Sequence, residues 1–163
     1  MELLIVRHAI AVERGTPGYA DDDRPLTEEG EKKFRCAAKG LARVIDRPDV
    51  VLTSPLPRAR RTAEIATEAW KGPTPTVAPA LAGGSFADIA ALLASYRGKE
   101  RVALFGHEPD VSELVARLLG SPHPGRLAFK KGGAALLDVE ARLDKGGRLV
   151  WFLPPKSLRA LAD

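Results

Sequence analysis

Leu3-Leu4-Ile5-Val6-Arg7-His8 decides the reading of this chain. Its apolar run is short and ends in two β-branched residues. It reads as a strand buried on both faces that delivers Arg7 and His8 at its carboxyl end. Two further runs repeat the pattern. Val50-Val51-Leu52 leads into Ser54-Pro55-Leu56-Pro57-Arg58, and Val102-Ala103-Leu104-Phe105 leads into Gly106-His107.

Helical patterns separate these strands. Thr27 is an expected N-cap, with Glu28 and Glu29 suited to the positive helix end and Phe34, Ala37, Ala38, Leu41 and Ile45 at helical spacing. Ser54 is the expected N-cap of a second helix, with Pro55 in its first position and Ala59, Thr62, Ala63, Ala66 and Trp70 along it. Ser85 with Asp88 opens a helix carrying Phe86, Ile89, Leu93 and Tyr96. Asp110 with Glu113 caps another, with Val111, Leu114, Val115, Leu118 and Leu119 on its apolar face and Gly120 as its stop. Residues 13–26 read as a polar loop, and residues 72–79 as a connection with at most a short strand near Val77. Ala134 to Val139 and Leu149 to Leu153, either side of Lys145-Gly146-Gly147, read as a hairpin at one sheet edge. The expectation is one α/β domain over residues 1–163, in three layers. Its sheet is mostly parallel, with helices on both faces and an antiparallel edge hairpin.

Open sheets of this kind bind ligands at the carboxyl ends of their strands. Three such ends gather Arg7, His8, the Ser54 to Arg58 turn and His107. Two arginines and two histidines without carboxylate ligands point to a phosphate site. The guanidinium fork matches phosphate oxygens, and the helix start expected at Ser54 adds amide donors. A neutral imidazole is a competent nucleophile toward phosphorus, and a second one can move protons or meet developing charge. Each piece alone is a common chance feature; specificity comes from finding all three in order.

The same residues carry a family resemblance. Leu4-Ile5-Val6-Arg7-His8-Ala9, Ser54-Pro55-Leu56-Pro57-Arg58-Ala59 with Thr62-Ala63, and Phe105-Gly106-His107-Glu108-Pro109 resemble the three motifs of the histidine phosphatase superfamily. Arg24-Pro25-Leu26-Thr27-Glu28-Glu29-Gly30 resembles the segment that opens its first helix. The short chain without large insertions looks like the SixA-type phosphohistidine phosphatases. The resemblance implies that His8 accepts the phosphoryl group, that Arg7 and Arg58 clamp its oxygens, and that His107 flanks it. It leaves Arg24 with two readings, a pocket-rim residue or a partner of the nearby Asp run. Ala9 stands where the superfamily usually has Gly, a departure common in SixA-like members. The segment Pro79-Ala80-Leu81-Ala82-Gly83-Gly84 lacks the acid that mutase-like members carry. Glu108 is therefore the nearest acid candidate, beside its plainer reading as a first-turn carboxylate.

Composition narrows the classes. The chain has 163 residues with 25 Lys+Arg against 21 Asp+Glu and a formal net charge of +4, mildly basic but without an aromatic-interleaved basic stripe. Nucleic acid is not an expected partner. The single Cys36 permits no internal disulfide and reads as core packing. No apolar run reaches membrane length, and the acidic, short apolar start does not read as a signal peptide, so a cytoplasmic location is expected. Asp21-Asp22-Asp23 lacks calcium-loop spacing and reads as solvated loop; no metal and no other cofactor are expected. His123, between two prolines, reads as a surface residue. Arg60 and Arg61 are expected to face solvent. Lys130-Lys131 before Gly132-Gly133 admits two readings, a solvated turn or a basic lip for an acidic partner. The expected function is phosphoryl removal from phosphohistidine on a partner protein. Removal from small phosphate esters is the alternative, and a non-catalytic phosphate-binding module the weaker one.

Overall fold

The computed structural model describes residues 1–140 and 142–163. Among these residues six strands form one sheet in the order β3-β2-β4-β1-β5-β6. They are β1 (Glu2–Arg7), β2 (Val50–Thr53), β3 (Thr76–Val77), β4 (Arg101–Gly106), β5 (Ala134–Val139) and β6 (Gly147–Leu153). The first four are mutually parallel, whereas β5 runs antiparallel to β1 and β6 antiparallel to β5. The expected mixed sheet with an edge hairpin is therefore the observed one.

Among the described residues five α-helices cover the sheet: α1 (Glu28–Val44), α2 (Pro57–Trp70), α3 (Phe86–Ala94), α4 (Asp110–Leu118) and α5 (Pro155–Ala160). Alternation along β1 explains the two cores. Leu4 and Val6 point into one with Phe34, Leu41, Ile65 and Leu158 from α1, α2 and α5. Leu3 and Ile5 point into the other with Ile89, Leu93, Leu114 and Leu118 from α3 and α4. Burial on both faces is why the strand lacks the polar alternation of a half-exposed one.

Several boundaries differ from the sequence reading. Ser54 is not the cap of α2: its N–H still donates to Phe105 O at 3.0 Å, so it extends the sheet. The helix begins two residues past Pro55, with Leu56 as N-cap and Pro57 in the first turn, where a missing N–H costs nothing. Asp110 does not cap α4 either; Pro109 holds that position, and the Asp110 carboxylate accepts from Gly83 N at 3.0 Å. Thr27 and Ser85 behave as expected, accepting from Gly30 N and Asp88 N. Ile45, Leu119 and Tyr96 lie at or just beyond helix ends. Helix α5 had no clear signal, because only Leu158 of its six residues is fully buried.

Candidate active site

The site lies where β1, β2 and β4 end together. Arg7 pairs in register with Gly106, and His8 N–H donates to Gly106 O at 2.9 Å, so the two histidine-bearing ends are stitched side by side. Thr53 pairs with Phe105 on the other flank of β4, which brings Ser54 beside His107. The chain after His8 is fixed from both sides. Ala9 N–H donates to Thr62 Oγ1 at 3.0 Å, and Thr27 N–H donates to Ile10 O at 3.0 Å. Gly30 is needed there, because a Cβ would stand 2.1 Å from Ile10 O.

His8 is 5% exposed, and its Nδ1 lies 2.7 Å from Ala9 O. A carbonyl only accepts, so Nδ1 carries the proton and Nε2 presents its lone pair. The His107 ring centroid is 5.2 Å away. Burial, only partly offset by the Ala9 carbonyl and reinforced by His107, Arg58 and Arg7, lowers the His8 pKa to about 3. Burial, with Arg58, Arg24 and Arg7, lowers that of His107 to about 4. Both rings are neutral at neutral pH. His107 Nε2 meets Ser54 Oγ at 2.8 Å, a contact that replaces the helix-cap role expected of Ser54.

Each arginine is anchored through one nitrogen to a backbone carbonyl. Arg7 NH1 donates to Phe129 O at 2.6 Å, and Arg58 NH1 donates to Asp21 O at 3.0 Å. Burial, the largest influence, lowers both guanidinium pKa values. Among the described residues, the buried side-chain N and O atoms without a hydrogen-bond partner are Arg7 Nε, Arg58 Nε and His107 Nδ1. Buried donors are ordinarily paired, so the unpartnered buried side-chain atoms of the described residues belong to one constellation of cationic and imidazole groups.

The remaining candidates fall into place around it. Arg24 is buried, but its Nε donates to Asp21 Oδ1 at 2.9 Å and its NH1 to Val12 O at 2.6 Å. The partner-of-the-Asp-run reading describes Nε alone, since NH1 is held by the Val12 carbonyl, and the charge still reaches Arg58 and His107. Glu108 has both oxygens engaged, Oε1 by Phe129 N at 2.9 Å and Oε2 by Ser112 Oγ at 2.6 Å. It thus braces Phe129, the residue whose carbonyl holds Arg7. Arg61 does not simply face solvent: it binds Glu31 at 2.9 Å and Glu64 at 3.1 Å, tying α2 to α1. Sequence reasoning missed the anchoring parts of Asp21 and Phe129, since a backbone carbonyl leaves no residue-type signature. Thr62 was visible in the second motif, but its bond to Ala9 was not. No group of three or more His, Cys, Asp or Glu is placed to hold a metal ion among the described residues. None of their helices is long and apolar enough to cross a membrane.

Residues 3–92 match the model of the histidine phosphatase superfamily, branch 1. The chain belongs to this superfamily. The matched span includes Arg7, His8, Arg24, Ser54 and Arg58; His107 lies beyond it and joins through the sheet. A protein of Picosynechococcus sp. without a described activity is 39% identical over 94% of this chain and all of its own. A protein histidine phosphatase SixA, solved with tungstate, superposes with a TM-score of 0.84 at 28% identity, covering 97% of this chain and 99% of that one. The alpha-ribazole phosphatase of Shigella flexneri shares the fold, with a TM-score of 0.74 at 19% identity, covering 95% and 97%. Membership supports phosphatase activity working through a histidine.

Proposed function

We propose that this histidine phosphatase removes phosphoryl groups from phosphohistidine on a partner protein through a covalent intermediate on His8. The observation that carries the reading is the fixed tautomer of His8, with Nδ1–H on Ala9 O and a bare Nε2 beside three unpartnered buried nitrogens. In the first step Nε2 bonds to phosphorus as the P–N bond of the substrate breaks. The Ala9 carbonyl faces the positive charge that then develops on the ring. Arg7 and Arg58 receive the phosphoryl oxygens, and His107 flanks them. The departing ring leaves as neutral imidazole once its distal nitrogen takes a proton from water. Water then attacks the phosphorus on His8, the new P–N bond breaks, and inorganic phosphate leaves with His8 restored. No metal enters this scheme.

Leaving-group chemistry supports the substrate class. Alcohols need a positioned acid, whereas imidazole takes up a proton near neutrality, at a pKa of about 6.5. Around His8 the Glu108 carboxylate is fully engaged and residues 79–84 offer none. One observation favours the second reading, a phosphatase for small esters. Exposed Asp22 acts on His107 through its charge and has the freedom to serve as an acid. The test runs phosphate esters of rising leaving-group pKa beside a phosphohistidine protein. A steep fall along the esters with rapid turnover of the protein is expected. A flat series that Asp22→Asn makes steep would shift the assignment to small esters. Base quench of wild type and His8→Ala reads the intermediate, which only the wild type should hold.

A further inference from the structure

Lys130-Lys131 plays no part in the chemistry above, yet Lys131 stands on one wall of a groove of about 170 Å³ between α1, α5 and the turn before β5. The groove has an apolar floor that includes Ile10, Phe34 and Pro155. Its polar lining is cationic: Lys33, Lys131 and Arg159, with no acidic residue. Lys33 pairs with Glu29 at 2.6 Å, outside the lining. Among the described residues, Lys131 and Arg159 have no carboxylate within ion-pair distance.

The groove adjoins the site along the chain. Ala9, directly after His8, belongs to its lining, as does Gly132. The Gly132 N–H donates to the carbonyls of Arg7 and His8 at 3.1 and 3.0 Å. The lining therefore includes the residue next to His8 in the chain, their Cα atoms roughly 3.8 Å apart. A phosphorylated side chain that reaches His8 brings its own polypeptide over this strand end.

We propose that this groove docks an acidic segment of the phosphorylated partner protein, with one apolar side chain on the floor and flanking Asp or Glu side chains against Lys131 and Arg159. The inference rests on the phosphohistidine-protein reading and deepens it. Rim charges of this kind set partner choice and encounter rate more than raw affinity, and salt weakens them.

The test uses the whole chain and synthetic phosphohistidine peptides flanked by Glu-Leu-Glu or by Lys-Leu-Lys. The wild type should favour the acidic flank in kcat/KM by about tenfold at low salt, with the ratio shrinking as salt rises. A Lys131→Glu, Arg159→Glu double variant should lose or reverse that preference while keeping wild-type aryl phosphate hydrolysis, which also shows that it is folded. Equal rates for both flanks in the wild type, or a preference intact in the variant, would overturn the docking site. If aryl phosphate is hydrolysed but no phosphohistidine peptide is, the substrate reading fails by itself. Fluorescence anisotropy with the labelled, unphosphorylated peptides then decides the groove. Tighter wild-type binding of the acidic peptide that the variant loses supports it, and equal binding refutes it.

Discussion

Acidification should destabilise this fold through two residues, His8 and His107. They are 5% and 8% exposed. Burial, aided by the neighbouring arginines, holds their pKa values at about 3 and about 4. In the unfolded chain both return to about 6.5. These are bases with depressed native pKa values. Between those values and 6.5 the unfolded state binds protons that the native state refuses, so stability falls as pH falls. Going from about pH 7 to about pH 5 should cost about 2 kcal/mol per ring and about 4 kcal/mol for the pair. Urea unfolding in phosphate-free buffer at the two pH values measures it. Phosphate must be excluded, because a ligand of the native state adds stability by mass action. A His8→Gln, His107→Gln double variant should lose most of this dependence. A wild-type loss below about 1 kcal/mol, or an equal loss in the double variant, would refute the claim that these rings are buried neutral.

Four further outcomes follow from the contacts. Arg58→Ala should reduce kcat/KM by about a hundred- to a thousandfold, the scale of losing a donor to a developing oxyanion, while Arg60→Ala stays near wild type. Arg61→Ala should retain activity but lower stability by about 1 kcal/mol in urea melts, since its partially exposed pair with Glu31 links α2 to α1 and its pair with Glu64 lies along α2. Glu108→Gln should change kcat/KM by less than about fivefold for every leaving group, because an amide oxygen can still accept from Phe129 N; a loss confined to alkyl esters would mark Glu108 as the acid. Gly40→Ala should cost about 1–3 kcal/mol in thermal or urea unfolding, because its Cβ would stand 1.8 Å from Leu158 O where α1 crosses α5.

The two arginines differ from the histidines in how they are held. The imidazoles are fixed by contacts close to the strand ends, Ala9 O for His8 and Ser54 Oγ for His107. The guanidiniums are fixed by carbonyls from distant loops, Phe129 for Arg7 and Asp21 for Arg58. Two loop carbonyls, one from Asp21 and one from Phe129, therefore hold the phosphate clamp.

The sequence by itself determined the strand–helix alternation, the edge hairpin and the meeting of Arg7, His8, Ser54, Arg58 and His107. Short apolar runs and helical periodicity are local signals, and a parallel sheet must align its carboxyl ends. Only the tertiary structure decided what those side chains do to one another. The Ser54 hydroxyl holds an imidazole instead of capping a helix, because its N–H is still bound to β4. Glu108 is engaged by a peptide twenty-one residues away, and Arg61 by a carboxylate on another helix. The neutrality of both rings likewise depends on burial and on charges brought together from the end of β1, the start of α2 and the loop before α1. Such contacts depend on distances across the chain, which residue type and spacing do not encode.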